Sequence, residues 1–325
     1  MVIWKLFNGV ADEWDRLLLK FDGTPYQTFG WGEVKRVSGW EPFRLVAVNE
    51  KRIVSIVSIL VKRRLGLIIC WIPDGPVDSI NLLNTQFRRA LSEILQSSFV
   101  YCRISFLRHH SENEAASLQK NGWTRPKKLM SSGLTMLYDL CGDQDQRLKK
   151  ISGNWRHNLK RSSRYSLCIE HWKDPDANKI STIYREMEML KSLPEQHSSL
   201  ELEAIINHLK DKVVIFRCLS SDGDLLAIRA AAVFGDKALD LLAASGAAAR
   251  KLYATHATLW ALLDWCQENG YECYDLSGVD PVGNKGVYDF KHGTGARLVE
   301  CLGEWEWASI PGISLLVNWL ISRKT

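Results

Sequence analysis

The sequence lacks several patterns that define common classes of protein. Its eight cysteines form no C-x-x-C pair, which argues against a zinc ribbon or a thioredoxin-like redox site. No apolar run approaches the roughly 18 residues of a membrane-spanning helix. The first residues lack the basic start and long apolar core of a signal peptide. No Ser-His-Asp or Cys-His nucleophile pattern is evident. We therefore expect a cytoplasmic protein without metal or cofactor, and a reaction without a covalent intermediate.

The length and charge of the chain set limits on its organisation. Its 325 residues are enough for about two domains of ordinary size. The apolar share of 46% supplies material for two hydrophobic cores. The net charge of +5 permits a polyanionic partner such as RNA, although many proteins with this balance bind none.

Two segments of the chain share one order of predicted elements. Residues 43–106 are expected to form a hairpin, a third strand, a loop, a helix and a last strand, and residues 213–276 repeat that order over the same length. The repetition predicts two copies of one α/β unit. We place the first domain at 1–145 and the second at 146–304.

The last segment, residues 305–325, predicts a helix that packs back on the first domain. It is too short to span a bilayer. A shallow contact with a membrane interface is the alternative, because Trp319 and the basic pair at 323–324 suit one.

The most unusual stretch is 274–296, which holds five glycines, three aspartates and two lysines. Gly278, Gly283 and Gly286 permit backbone angles and close approaches that a side chain would forbid. The composition predicts a glycine-rich polar loop at the end of a strand, where α/β folds place ligands. A surface loop whose charges only meet water fits the same composition.

Three motifs in this stretch follow one another in a recognisable order. They are D-L-S-G at 275–278, N-K-G-V-Y-D-F-K at 284–291 and G-T-G at 293–295. Together they resemble the C-terminal signature of the Fem-type (FemABX) aminoacyl-tRNA-dependent transferases, which belong to the GNAT-like acyltransferases. The resemblance implies an α/β fold of two tandem GNAT-like domains, each a mixed twisted sheet flanked by helices.

The resemblance also implies roles for individual residues. Lys291 matches the family lysine thought to stabilise the tetrahedral intermediate and the acceptor end of the tRNA, and Phe290 would shape the aminoacyl end. We take these two as the candidate catalytic residues. Tyr253, Asp280 and Lys285 are candidate substrate-binding residues in the same domain.

Two motifs in the first domain extend the resemblance. Q-x-x-x-W-x-x-V-K at 27–35 is similar to a family segment whose last lysine contacts the diphosphate of a nucleotide-linked peptidoglycan precursor. Lys35 and its neighbour Trp31 are therefore candidate substrate-binding residues. G-P-V at 75–77 resembles a family loop whose acidic neighbour faces the cleft, which adds Asp78. An exposed helix lysine and a turn aspartate are the plainer interpretations.

A basic helix is predicted at the start of the second domain. Arg156, Lys160 and Arg164 are spaced by four and would share one face, with Arg161 beside them. The sequence N-W-R-H-N-L-K-R at 154–161 resembles the R-R-N-I-K-K helix of the family. Such a stripe suits a phosphate backbone, so these four are candidate tRNA-binding residues; a solvated basic face is the alternative.

The resemblance implies an enzyme that moves an amino acid from aminoacyl-tRNA to an amine and forms a peptide bond. The acceptor would be a peptidoglycan-precursor peptide, as in cell-wall synthesis, or a small metabolite. It stays open because no arginine in 193–213 matches the family's second diphosphate contact. The GNAT pyrophosphate loop Q-x-x-G-x-G is absent from both copies, which argues against acyl-CoA as the donor.

Two alternative functions remain open. One is a GNAT-like N-acyltransferase with an acyl-CoA or acyl-carrier donor, acting on a polysaccharide or a lipid-linked sugar. The other is a non-catalytic scaffold that binds RNA or a nucleotide. In each case we expect a monomer.

Overall fold

The computed structural model describes residues 2–77 and 79–323 and divides the chain into two compact units. The first unit takes the chain up to residue 134 and from residue 300 onward, and the second takes 135–299. The sequence placed the first boundary after residue 145. The division comes earlier because the strand Leu134–Asp139 pairs antiparallel with Cys273–Gly278 of the second unit.

The described residues form twelve β-strands. In chain order these are β1 (Ile3–Leu6), β2 (Glu41–Asn49), β3 (Arg52–Arg64), β4 (Leu67–Pro73), β5 (Val100–His109), β6 (Leu134–Asp139), β7 (Cys168–His171), β8 (Val213–Leu219), β9 (Leu225–Phe234), β10 (Lys237–Ser245), β11 (Cys273–Gly278) and β12 (Arg297–Ala308).

The same residues form twelve α-helices and three short 3₁₀ turns. The helices are α1 (Ala11–Lys20), α2 (Phe29–Arg36), α3 (Thr85–Leu95), α4 (Glu112–Lys120), α5 (Gln144–Lys150), α6 (Gly153–Ser162), α7 (Ala177–Lys191), α8 (Ser199–Leu209), α9 (Ala247–Lys251), α10 (Ala254–Glu268), α11 (Lys285–His292) and α12 (Ile313–Ser322). The 3₁₀ turns are Pro25–Gln27, Ile80–Leu82 and Lys210–Lys212.

Each unit has the same sheet topology. The strand order is β1-β2-β3-β4-β5-β12 in the first unit and β7-β8-β9-β10-β11-β6 in the second. In each sheet one pair runs parallel, β4 with β5 and β10 with β11. Helix α3 joins the first parallel pair and α10 joins the second, as a parallel crossover requires. The prediction of two copies of one α/β unit is confirmed.

The core of the first unit lies between its sheet and α3. Phe87, Leu91 and Leu95 are spaced by four along α3 and are all buried. Trp4 of β1 meets Phe87 edge-on, with 5.1 Å between the ring centroids. Trp305 of β12 belongs to the same cluster, so strands from both ends of the chain share this core.

Helix α12 is tied to the first unit by a buried asparagine. The Nδ2 of Asn318 donates to Glu306 Oε2 over 2.8 Å, and its Oδ1 accepts from the N–H of Lys128 over 3.0 Å. Val317 beside it is also buried. Neither α12 nor any other helix within the described residues has the length and apolar content that a membrane span requires.

The parallel strands of the second unit separate soon after they meet. Their described register covers Ala238↔Tyr274 and Leu239↔Asp275, although β10 continues to Ser245 and β11 to Gly278. Main-chain groups at the carboxyl ends of the two strands are therefore released from the ladder. The two strands therefore diverge toward the end of β11.

The glycine-rich stretch after β11 is only partly the loop that the sequence predicted. Residues 285–292 form α11, because Asn284 caps it by accepting the N–H of Val287 at its Oδ1 over 3.4 Å. The loop predicted between the third strand and the helix of the second repeat, at 245–253, contains the short helix α9. In α9 three alanines, an arginine and a lysine favour the helix after Gly246, whereas α11 depends more on the cap at Asn284 than on the propensities of its residues.

Two glycines of this stretch should respond oppositely to alanine. Gly295 has φ +83°, and a Cβ there would lie 2.6 Å from the main-chain oxygen of Lys150. We expect Gly295→Ala to lower the free energy of unfolding by about 1–3 kcal/mol in urea denaturation. Gly286 lies within α11 with open space at its Cβ position, so Gly286→Ala should gain up to about 1 kcal/mol. Equal stabilities of the two variants would contradict this account.

Candidate active site

Lys291 lies in the last turn of α11 and is buried. Its Nζ donates to the main-chain oxygens of Gly278, over 3.0 Å, and Ser277, over 3.4 Å. These carbonyls stand where β10 and β11 have separated. Burial lowers the pKa of Lys291 from its usual 10.5, and the carboxylates of Asp240 and Asp275 oppose that lowering. The ammonium is thus held at the carboxyl end of β11 by carbonyl dipoles and nearby carboxylates.

Asp275 of β11 is one of these carboxylates. Its Oδ1 accepts from the hydroxyl of Thr135 and, over 2.8 Å, from the N–H of Ser277. Burial raises the pKa of Asp275, while these donors and Lys291 act against the rise. Ser277 has φ +62°, an unfavourable value for a residue with a side chain. Its Oγ donates to the main-chain oxygen of Asp240 over 2.6 Å, which joins β11 to β10 beyond their ladder.

A buried ion pair joins β9 to β10 beside this point. The Nε of Arg229 donates to Asp240 Oδ1 over 2.9 Å, and its Nη2 donates to Oδ2 over 2.6 Å. Both side chains are 8% exposed. Burial, the largest influence, would lower the pKa of Arg229, but Asp240 and Tyr274 together outweigh it and the pKa is raised. The hydroxyl of Tyr274 also donates to Asp240 Oδ1, over 3.2 Å, so β11 is bound to the same carboxylate.

Phe290 belongs to an aromatic cluster, which we define as Trp155, His256, Trp260 and Phe290. The ring centroids of Trp155 and His256 lie 5.9 and 5.1 Å from that of Phe290. The indole N–H of Trp155 donates to the carbonyl of Phe290 over 3.1 Å. The guanidinium of Arg229 lies 5.7 Å from the Phe290 ring centroid, which connects the cluster to the ion pair. Burial lowers the pKa of His256 to about 4, so this imidazole is neutral near pH 7.

Tyr253 links the aromatic cluster to the basic helix. It stands just before α10 with φ +56°, and its ring centroid lies 6.2 Å from that of His256. The Nη1 of Arg161 donates to the Tyr253 hydroxyl over 2.7 Å. Lys291, Phe290, Tyr253 and Arg161, predicted from separate parts of the sequence, are therefore connected within the second unit.

The basic segment is shorter as a helix than its spacing predicted. Helix α6 ends at Ser162, so Arg164 lies beyond it and the shared helical face covers only Arg156 and Lys160. The Nη2 of Arg156 donates to the carbonyls of Lys149, over 3.3 Å, and Ile151, over 3.1 Å. Arg156 thus ties the end of α5 to α6. Lys160 and Arg164 are exposed.

The candidates Asp280 and Lys285 are exposed and bind local partners. Asp280 Oδ1 accepts the N–H groups of Val282, over 3.0 Å, and Gly283, over 2.8 Å, which is an Asx turn. The Nζ of Lys285 lies 2.7 Å from both carboxylate oxygens of Asp289, one helical turn further on. These contacts shape the approach to α11.

The candidates of the first unit form a separate group. Trp31 is buried in α2, and the Nζ of Lys35 lies 4.5 Å from its ring centroid. The Oγ1 of Thr28 caps α2 by accepting the N–H of Trp31 over 3.2 Å. The third candidate, Asp78, lies outside the described residues.

Sequence reasoning missed the Arg229–Asp240 pair, Tyr274 and the partners of Phe290. A signal for the pair was present, since one arginine and one aspartate interrupt neighbouring runs that are otherwise apolar. A charge in such a run requires a buried partner of opposite sign. Trp155 and His256 gave no comparable signal, because their contacts with Phe290 join distant parts of the chain.

The repeated topology and the separated parallel strands define a tandem protein of the GNAT-like acyltransferase fold. The chain aligns with a crystal structure of FemX at 14% identity and a TM-score of 0.81, over 97% of this chain and 100% of that one. A tandem GNAT protein from the clavulanic acid biosynthesis pathway aligns at 11% identity and a TM-score of 0.58, over 96% and 100%. The C-terminal domain of a putative lysylphosphatidylglycerol synthetase from Agrobacterium fabrum aligns at 16% identity and 0.55, over 81% and 83%.

Residues 179–312 match the model of the FemAB family. This region contains Arg229, Asp240 and the whole signature stretch with Lys291. None of the curated proteins compared with the chain matches it significantly. The family match bears out the resemblance to the Fem-type proteins over this region, and the solved structures show the same GNAT-like fold.

Breaking the buried ion pair should destabilise the second unit. Asp240→Asn leaves Arg229 charged and unpaired, so we expect a loss of about 3–5 kcal/mol in the free energy of unfolding by urea denaturation. The double variant Arg229→Met with Asp240→Leu should recover most of that loss, because no buried charge is left alone. Asp289→Asn removes an exposed pair with Lys285 and should change stability by less than about 1 kcal/mol. A loss in Asp240→Asn no larger than this control would contradict the assignment.

Proposed function

We propose that the protein is an aminoacyltransferase that moves an amino acid from aminoacyl-tRNA to an amine of a peptidoglycan-precursor peptide or a small metabolite. The observation that carries this proposal is the buried Lys291 beside Phe290, where β11 has parted from β10, inside the region that matches the FemAB family. The similarity in fold to FemX supports the same class of transferase.

In this proposal the attacking amine adds to the ester carbonyl of the aminoacyl group. The carbonyl oxygen becomes an oxyanion, the C–N bond forms and the C–O bond to the ribose breaks. The proton lost by the amine ends on the departing ribose oxygen. An ammonium group has three N–H donors, and the carbonyls of Ser277 and Gly278 engage Lys291 in the described structure. The remaining donor of Lys291 is the group that we assign to the oxyanion.

The tRNA would lie along the exposed cations near the aromatic cluster. Arg161 joins α6 to Tyr253, and Tyr253 adjoins His256, which contacts Phe290. A phosphate backbone bound near Lys160 and Arg164 would therefore lead toward the aminoacyl end at Phe290. The neutral His256 and the aromatic rings suit stacking against a base or the acyl group.

An acyl-CoA donor is less compatible with the turn between β10 and α9, where a GNAT pyrophosphate loop would stand. The N–H of Ala247 already donates to Glu186 Oε1 over 2.8 Å. A Cβ on Gly246 would lie 2.6 Å from Glu186 Oε2, so this carboxylate fills the turn. A fixed negative charge there repels a pyrophosphate. The alternative function that the experiments below distinguish is an N-acyltransferase with an acyl-CoA or acyl-carrier donor.

Removing the charge of Lys291 should abolish most transfer. We expect Lys291→Met to lose at least about 100-fold in rate, the effect of deleting one oxyanion donor, at a urea concentration of zero, where denaturation curves show that the variant is still folded. The assay is transfer of labelled amino acids from charged total tRNA to precursor peptides and small amines. Because burial lowers the pKa of Lys291, wild-type activity should fall as pH rises through a value below 10.5. Lys191→Met, at an exposed lysine of α7, is the control and should stay fully active; full activity of Lys291→Met would refute the role.

Charged tRNA should bind better than uncharged tRNA, and binding should weaken with salt. We expect Lys160→Gln and Arg164→Gln each to lower the slope of log affinity against log salt by up to about one. Lys191→Gln should leave that slope unchanged. The measurement is filter binding at several salt concentrations. Absence of tRNA binding at low salt, together with transfer from an acyl-CoA, would replace this proposal with the N-acyltransferase.

A further inference from the structure

Helix α12 presents an apolar face to solvent. Leu315, Leu316, Trp319 and Leu320 are 55, 50, 48 and 43% exposed. They are spaced by one, four and five residues, which places them on one side of the helix. Burial of the opposite side, at Val317 and at the asparagine that follows it, shows that α12 is seated on the first unit. The exposed apolar face is therefore a second apolar surface of the helix, separate from the side that packs on the first unit.

The border of this face is cationic. The guanidinium of Arg323 lies 3.8 Å from the centroid of the Trp319 ring, so the charge stands at the edge of the apolar surface. The hydrogen bond from Lys128 to Asn318 brings the segment of Lys127 and Lys128 beside the helix, and Lys127 is exposed.

The segment that contacts α12 at Lys128 adds apolar surface, and neither it nor the helix segment carries an acidic residue. Leu129 and Met130, which follow these lysines, are 51 and 63% exposed. Neither 123–134 nor 309–323 contains aspartate or glutamate. The carboxylate beneath the helix, Glu306, is buried and accepts from Tyr101 and from Asn318.

We propose that α12 docks on the surface of an anionic lipid bilayer. The leucines would enter the boundary between headgroups and acyl chains, and Trp319 would lie at headgroup level with its polar edge outward. Arg323 and the lysines would meet the lipid phosphates, with their aliphatic parts along the apolar surface. One side of the helix is buried on the first unit, so this is a peripheral contact.

The charge around this face favours an anionic bilayer over a second copy of the chain as its partner. Two copies joined through this face would bring two cationic borders together without an acidic group to neutralise them. An anionic bilayer neutralises the same border, and it accepts an apolar helix face without requiring a complementary shape. The proposal is independent of the transfer reaction, because its residues lie in the first unit and outside the candidate active site.

The test is co-sedimentation of the full chain with vesicles of phosphatidylcholine alone or with about one quarter phosphatidylglycerol. We expect the wild type to bind the anionic vesicles preferentially. Leu316→Glu and Trp319→Glu should each weaken that binding at least about tenfold. Arg323→Gln should weaken binding to the anionic vesicles only. Thermal unfolding by circular dichroism shows whether each variant keeps its fold.

The matched control is Leu200→Glu, which changes a leucine of α8 that is 66% exposed in the second unit. Its vesicle binding should equal that of the wild type. Absence of wild-type binding, or binding that Leu316→Glu leaves unchanged, overturns the proposal. Sedimentation velocity without lipid tests whether the face binds a second copy of the chain instead. A wild-type dimer that Leu316→Glu converts to a monomer, together with no vesicle binding, would assign the face to a second copy.

Discussion

The geometry of the candidate active site depends on the buried ion pair between Arg229 and Asp240. Asp240 lies where the ladder between β10 and β11 stops, and three strands meet at it. Arg229 binds its carboxylate from β9, while the hydroxyls of Tyr274 and Ser277 bind its carboxylate and its main-chain oxygen from β11. Beyond the end of their ladder, β10 and β11 are no longer joined by main-chain hydrogen bonds. Side-chain bonds of this kind take over that role. The pair therefore fixes the separation that Lys291 occupies.

The same pair sets the electrostatic surroundings of Lys291. Burial favours the neutral amine, and Arg229 acts in the same direction. The carboxylates of Asp240 and Asp275 favour the ammonium. Two cations and two carboxylates thus share one poorly hydrated region, in which Asp240 compensates Arg229 and Asp275 is left to balance Lys291. Thr135 and Ser277 favour the anionic form of Asp275 by donating to it, but burial outweighs them and the pKa of Asp275 is raised.

The repeated units were predictable from the sequence, because their strands are apolar runs of ordinary length. Such runs can be recognised from neighbouring residues alone. The interior of the site was not predictable, since its contacts are long-range. Phe290 meets His256 and Trp155 across large sequence separations, and a register shift between Asp240 and Leu242 hides which residue of β9 the aspartate faces. Helix α11 was missed for a different reason. Its cap at Asn284 outweighs Gly286, which has no close neighbour and no left-handed backbone angle.

The two units differ where their common topology would place a ligand. In the first unit β4 and β5 stay paired from Ile68↔Val100 to Pro73↔Ser105, and Asp74 continues the contact by donating its N–H to Ser105 and accepting from Leu107. The main-chain bond to Ser105 and the side-chain bond from Leu107 thereby close the end of this parallel pair. In the second unit the ladder stops early, and side chains of opposite charge fill the region beside it. Within the described residues, an early end of the parallel ladder therefore coincides with a buried charge cluster beside Lys291, and not at the end of β4 and β5.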